Sequence, residues 1–231
     1  MVGASWRQET DMPELTLVIG TRNYSSWSLR PWLLLRHLGL DFSERLIHLD
    51  TPEFARDVPK LSPSRRVPAL LHGATTVWES LAICEYASEL AGGRGWPRQT
   101  EDRAHARSLA AEMHAGFAAL RSSCPMNARA RDRRVAMTAG LARDIERIDE
   151  IWSGCRRDYG SRGPWLFGDY SVADAMFAPV ALRILTYGLV TSTAAAGYQA
   201  TVLADAHLRE WIAAAMIEDV VVAADETGAQ A

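Results

Sequence analysis

Cysteine is scarce in this chain: Cys84, Cys124 and Cys155 are the only three in 231 residues. An odd number at wide spacing offers no disulfide framework. Neither a CxxC pair nor a zinc-ligand pattern occurs. The expectation is therefore reduced thiols, no metal and a cytoplasmic setting. Long hydrophobic runs are missing as well: no apolar stretch approaches the roughly 20 residues of a membrane span. The opening MVGASWRQETDM has one Arg and no apolar core, unlike a secretory signal. Excess charge of one sign is absent too. A net charge of -3 and a pI of about 6.1 give no footprint for nucleic acid or an anionic membrane. No internal repeat is visible.

What is present is an ordinary globular composition, 48% hydrophobic and 23% charged, with enough apolar residues for a sizeable core. The length suits two small domains. Residues 1–13 are expected to be a disordered extension, with Met12-Pro13 near the true start. LTLVIG (15–20) is a β-rich run. NYSSWSLRPWLLLRHLGL then turns helical, with Leu29, Leu33, Leu34 and Leu38 on one face and Gly39 as a stop. RLIHL (45–49) reads as a second strand. Pro52, Pro59 and Pro63 in TPEFARDVPKLSPSRR argue against long regular structure there. VPALL (67–71) and TTVW (75–78) form a hairpin pair across His72-Gly73-Ala74. A helix follows in ESLAICEYASELAGG. The residues thus give the order β-α-β-(irregular)-β-β-α, with the first two strands parallel and the hairpin antiparallel.

Gly92 to Thr100, GGRGWPRQT, is the expected boundary between a unit at 14–92 and one at 101–222. Beyond it the pattern is helical. Leu109, Met113, Phe117 and Leu120 recur at helical spacing. So do Leu141, Ile145, Ile148 and Trp152, with SSCPMN (122–127) between the two sets. Ser171-Val172-Ala173-Asp174 fits a capping-box start, the Ser hydroxyl accepting from a first-turn amide and Asp174 reaching back. Pro179 should kink that helix, and Tyr187-Gly188 should end it. A last helix is expected over Ala204 to Met216. The small, polar tail after Ala223 is expected to fray.

Four local motifs in this order resemble the glutathione transferase superfamily, most closely its serine-using, zeta-like bacterial branch. The first is the turn Ser25-Ser26-Trp27-Ser28-Leu29-Arg30, with Ser25 at the activating position and Arg30 at the Arg five residues on. The second is Pro63-Ser64-Arg65-Arg66-Val67-Pro68, similar to N-P-x-G-x-V-P with a cis bond before the last Pro. Ser62 replaces its Asn and Arg65 its Gly. The third is Glu79-Ser80, similar to the family's E-S pair. The fourth is GDYSVAD (168–174). The resemblance implies a thioredoxin-like N-terminal domain, βαβαββα, followed by an all-helical glutathione transferase domain. It implies glutathione as co-substrate, no metal, and a homodimer.

The chemistry divides by the groups of glutathione. Its thiol, with a free pKa near 8.5, must be ionised to act as a nucleophile. A hydroxyl donor and a helix N-terminus both favour the thiolate. Ser25 is placed for this, with Ser26 as the alternative. An N-cap serine of any helix has the same appearance. The resemblance implies that Val67, before Pro68, offers a strand edge to the cysteinyl backbone. It also implies that Glu79 pairs with the γ-glutamyl ammonium, and that Ser80 with its amide holds the carboxylate. Arg66, or else Lys60, would meet the glycine carboxylate. Met113, Phe117 and Arg121, on one helix face with Met126 beyond, are candidates for an acceptor pocket. Arg121 would face an acidic substrate, and Met113 and Phe117 read equally well as core. His114, Asn127 and Cys124 have no role that the residues reveal. Ser25, Val67-Pro68 and Glu79-Ser80 together favour an enzyme that delivers a glutathione thiolate to a small electrophile, by conjugation, isomerisation or peroxide reduction. A serine at the turn argues against thiol-disulfide exchange, which needs a protein sulfur. Pro31 and Arg65 keep a non-catalytic binding or interaction protein as the alternative.

Overall fold

The structure is a computed structural model that describes residues 14–230. The expected N-terminal extension, 1–13, lies outside the described residues. Four strands form one sheet: β1 (Leu15–Ile19), β2 (Ser43–Leu46), β3 (Ala69–His72) and β4 (Thr75–Trp78), in the order β2-β1-β3-β4. β1 pairs parallel with β2 and antiparallel with β3, which pairs antiparallel with β4. A crossover helix, α1 (Ser26–Leu38), joins the parallel pair. Alternation along the strands sorts side chains to two faces. Leu15, Leu17, Ile19 and Leu70 join the main core with Leu29, Leu33 and Leu34 of α1. Val18 and Ala69 point to the other face, against Ile47 and Val58.

That second face is covered by α2 (Pro52–Leu61), a helix of 10 residues where the prolines argue against one. Of the three prolines only Pro59 falls inside the helix beyond its first turn, where it leaves the Ala55 carbonyl without its usual partner. Pro52 opens the first turn, where its missing N–H is one of the unpaired donors anyway, and Thr51 caps the end by accepting from Phe54 N at 3.1 Å. Pro59 stands near the C-terminal end, and Pro63 follows it. Val58 is buried, and Phe54 and Leu61 pack beside it. The βαβαββα order implied by the resemblance is the observed one. It is completed by α3 (Ser80–Leu90), which lies on the α1 side of the sheet.

The rest is helical: α4 (Thr100–Ala115), α5 (Ala118–Ser123), α6 (Ala139–Tyr159), α7 (Val172–Tyr187), α8 (Thr193–Ala204) and α9 (Ala206–Met216). α7 is buried along almost its whole length and packs against α1 and α4. Its start is the expected capping box. Asp174 accepts from Ser171 N and Leu166 N, both at 2.9 Å, and from Tyr198 Oη at 2.9 Å. Gly188 closes it with φ 59.

Three expectations are corrected. The periodicity through Leu109, Met113, Phe117 and Leu120 is two helices. Gly116 adopts extended backbone after α4, and Phe117 has φ 61. The expected last helix starts at Ala206, and α8, an alanine-rich segment without an apolar stripe, precedes it. The tail is docked: a two-residue strand, β6 (Ala229–Gln230), pairs antiparallel with β5 (Arg133–Arg134). Among the described residues no helix is long and apolar enough to cross a membrane.

Candidate active site

The site grows from the end of β1. After Gly20 the chain turns through Thr21–Tyr24, and Ser25 caps α1, its hydroxyl accepting from Ser28 N at 3.4 Å. The same hydroxyl donates to Ser28 Oγ at 2.7 Å, which accepts from Gly20 N at 3.1 Å. Ser25 is therefore tied to the sheet side of α1. Ser26, the first helical residue, faces the other way: its Oγ accepts from Arg183 of α7 at 3.2 Å. Both serines are buried. The helix begins at Ser26 despite Pro31, one full turn in, which leaves the Trp27 carbonyl without its usual partner.

The second motif lies beside this turn. The Val67–Pro68 bond is cis, as the resemblance implies. A Cβ added to Gly20 would stand 3.0 Å from Val67 Cγ2, so Val67 abuts the end of β1. The β3–β4 register ends with Ala69 opposite Trp78, so Val67-Pro68 and Glu79-Ser80 lie just beyond the same end of that pair. Arg65 has φ 58, the left-handed conformation that a glycine takes without cost. The backbone of the motif is kept although its glycine is not.

Glu79 and Ser80 start α3. Glu79 has φ 70 and makes no cap bond, so the first amides of α3 have no side-chain acceptor. Ser80 Oγ is buried, and among the described residues it has no hydrogen-bond partner. Glu79 is half exposed and lies 3.8 Å from His114 Nε2. His114 stands edge-on to Trp27 at 5.4 Å, and burial, with Arg30 and Arg121 nearby, lowers its pKa. Trp27 also carries two guanidinium groups, Arg30 at 4.3 Å and Arg121 at 4.7 Å from the ring centroid. Arg30 is fully buried. Its Nε donates to Met176 O at 3.2 Å, while Nη1 and Nη2 find no partner among the described residues. Burial depresses its pKa, and Arg121 and Arg183 add to the effect. Burial likewise brings Arg183 down to about 10.

Val67, Pro68, Glu79 and Ser80 thus lie at one end of the β3–β4 pair, with Val67 beside Gly20 and Ser25 at the start of α1. Arg66 is exposed near Val67. Lys60 is not brought in: it is exposed on α2 and paired with Asp57 at 2.9 Å. Met113, Phe117 and Arg121 do not share a helix face, because the chain breaks at Gly116. Met113 and Phe117 are core residues. Arg121 is committed to main-chain carbonyls, donating to Gly116 O at 2.9 Å and to Met113 O. Sequence reasoning passed over Ser28, whose signal was its place three residues after Ser25. It also passed over Trp27 and Arg183, the latter without any signal.

Comparison with known proteins bears on the fold. Residues 24–90 match the family model described as the glutathione S-transferase N-terminal domain. No curated relative matches the chain. Among solved structures, a glutathione transferase homologue from Burkholderia gl BGR1 with bound glutathione is 24% identical. The alignment covers 88% of this chain and 98% of that one, with a TM-score of 0.66. A maleyl pyruvate isomerase, a bacterial glutathione S-transferase in zeta class, is 22% identical over 89% of this chain and 100% of that one, with a TM-score of 0.67. Glutathione transferase Omega 3C from Trametes versicolor is 17% identical over 88% and 91%, with a TM-score of 0.67. The protein therefore has the glutathione transferase fold, a thioredoxin-like N-terminal part followed by an all-helical part.

Proposed function

We propose that the protein binds glutathione, stabilises its thiolate and delivers it to a small electrophile. The observation that carries this reading is the start of α3: a serine hydroxyl buried without a partner among the described residues, at a helix N-terminus without a side-chain cap, at the same end of the β3–β4 pair as Val67. A buried hydroxyl without a partner costs about 1–3 kcal/mol. A ligand carboxylate would satisfy both the hydroxyl and the open amides.

In this reading the γ-glutamyl carboxylate sits on Ser80 and the α3 amides, and its ammonium faces Glu79. The cysteinyl backbone pairs with Val67 beside Pro68, and Arg66 meets the glycine carboxylate. The sulfur then falls at the α1 N-terminus. Ser25 turns its hydroxyl from Ser28 to the sulfur, and the thiol proton leaves to solvent. The thiolate forms the new bond to carbon, and the displaced electron pair goes to the electrophile's leaving group or π system. Ser25 is preferred to Ser26 because it bonds Ser28, which in turn accepts from Gly20 beside Val67, whereas Ser26 is held toward α7. Units at 14–92 and 101–222 and a homodimer complete the proposal. Light scattering of the purified protein checks the dimer.

The test is a glutathione titration followed by calorimetry and by the ultraviolet absorbance of the thiolate. Saturable binding with a thiol pKa below the free value of about 8.5 supports the reading. Binding without ionisation supports a non-catalytic binding protein. No binding at millimolar concentration removes glutathione from the account.

A further inference from the structure

The segment after α9 lies across the turn that leads into Ser25. Glu218, with its side chain only 6% exposed, accepts from two consecutive backbone amides: Arg22 N at 3.0 Å and Asn23 N at 3.1 Å. The Arg22 guanidinium stands 3.6 Å from the same carboxylate. Further on, Glu226 accepts from Tyr24 Oη at 2.7 Å and Asn127 Nδ2 at 2.8 Å with one oxygen, and from Arg133 at 2.7 Å with the other. Arg129 ties the two ends, donating to Tyr24 Oη at 3.1 Å, to Val220 O at 3.2 Å and to Glu218 O. Pairing of β6 with β5 anchors the far end.

Residues 21–24 have few bonds of their own. Tyr24 N and Ser25 N both donate to Thr21 O, at 3.1 and 2.8 Å. Ser26 N donates to Tyr24 O at 2.9 Å, and the remaining hydrogen bonds to the turn come from distant chain. Loop residues Ala128 and Arg129 donate to Asn23 O at 3.0 Å and to its Oδ1 at 2.8 Å, and Trp211 of α9 donates to Arg22 O at 3.0 Å. The tail supplies the acceptors for the amides. A carboxylate that accepts amide bonds forms stronger, charge-assisted contacts than a neutral group would. The direction of the Ser25 hydroxyl follows from the backbone of this turn. A displacement of about 1 Å at such a position costs on the order of a hundredfold in rate.

We propose that residues 218–230 are a strap that sets the serine turn, with Glu218 and Glu226 as positioning residues for sulfur ionisation. The catalytic consequence rests on the glutathione reading above. The restraint on the turn rests on the geometry alone.

The experiment compares the full chain with Glu218→Ala, Glu218→Gln, Glu226→Gln and a chain ending at Ile217. Hydrogen exchange is read amide by amide, and bound glutathione is titrated by thiolate absorbance. In Glu218→Ala, exchange at Arg22 and Asn23 should rise about tenfold or more while α1 from Leu33 to Leu38 keeps its protection. The pKa of the bound thiol should rise by about one unit, a tenfold fall in the thiolate-to-thiol ratio at a given pH. Affinity for glutathione should change by less than about threefold, because Glu79 and Ser80 stand apart from the strap. Glu218→Gln keeps one acceptor oxygen and its shape, so it should fold and give a smaller shift in the same direction. Unchanged exchange at residues 22–26 in all variants overturns the strap. Faster exchange with an unmoved thiol pKa overturns its positioning role. If the parent protein binds no glutathione, the functional reading falls, and the exchange data alone decide the strap.

Discussion

Arg65 holds a left-handed backbone, φ 58, at a position where the related motif carries glycine. The strain of such a residue is about 1–2 kcal/mol, offset in part because glycine loosens the unfolded chain. Arg65→Gly should therefore raise unfolding stability by up to about 1 kcal/mol, read from denaturant midpoints. A lower midpoint would mean that the Arg65 side chain makes a contact worth more than the strain. The two serines separate by their partners. Ser25→Ala should raise the pKa of bound glutathione by about one unit or more, with affinity little changed. Ser26→Ala should do so less, because its hydroxyl serves Arg183. The reverse order would move the sulfur contact to Ser26. Glu79→Ala and Ser80→Ala should instead weaken binding itself, by about tenfold each, as a calorimetric titration would show. Affinity unaffected by both would remove the α3 start from the site.

At the scale of elements, local rules and packing contribute differently. α1 and α7 follow their caps and stops: Ser25 and Gly39 bound one, Ser171 and Gly188 the other. Asp174 is a buried carboxylate whose pKa burial pushes upward, while bonds from Leu166, Tyr198 and Ser171 oppose the rise. Removing it orphans those donors together. Asp174→Ala should cost about 3 kcal/mol or more and lower the thermal midpoint by several degrees. A loss under about 1 kcal/mol would mean that water replaces the carboxylate. α2 and the α4–α5 break run against their sequence signals for opposite reasons. Pro52 falls in the tolerated first turn of α2 and Pro59 costs it one bond near the C-terminal end, so an amphipathic face against Val18 and Ala69 prevails. At Gly116 an apolar spacing of 3.6 continues through a residue that leaves the helix. Phe117 then reaches the core by turning, and Arg121 staples the turn to Met113 and Gly116.

Across the whole molecule, one apolar cluster runs from β1, α1 and α3 into α4, α6 and α7. The three thiols lie within it. Burial pushes Cys124 up to about 11 and Cys155 up to about 12, and raises Cys84 further. A raised thiol pKa means less thiolate at any given pH. A thiol reagent at pH 8 should therefore titrate almost no cysteine in the native protein and all three after denaturation. Rapid labelling of one thiol in the native state would reveal a local opening.

The amino-acid sequence by itself determined the strand and helix order around Ser25, Val67-Pro68 and Glu79-Ser80, and the cap at Ser171–Asp174. Turns, caps and strands are written in residues a few positions apart, where spacing alone carries the geometry. Only the tertiary structure decided which way Ser25 and Ser26 face, that Arg30 and Arg121 stack on Trp27, that Arg183 reaches Ser26, and that Glu218 and Glu226 hold the serine turn. Those contacts join residues up to 202 positions apart. Their partners are ordinary charged side chains with no local pattern, and packing of α7 and the tail against α1 is what brings them into reach.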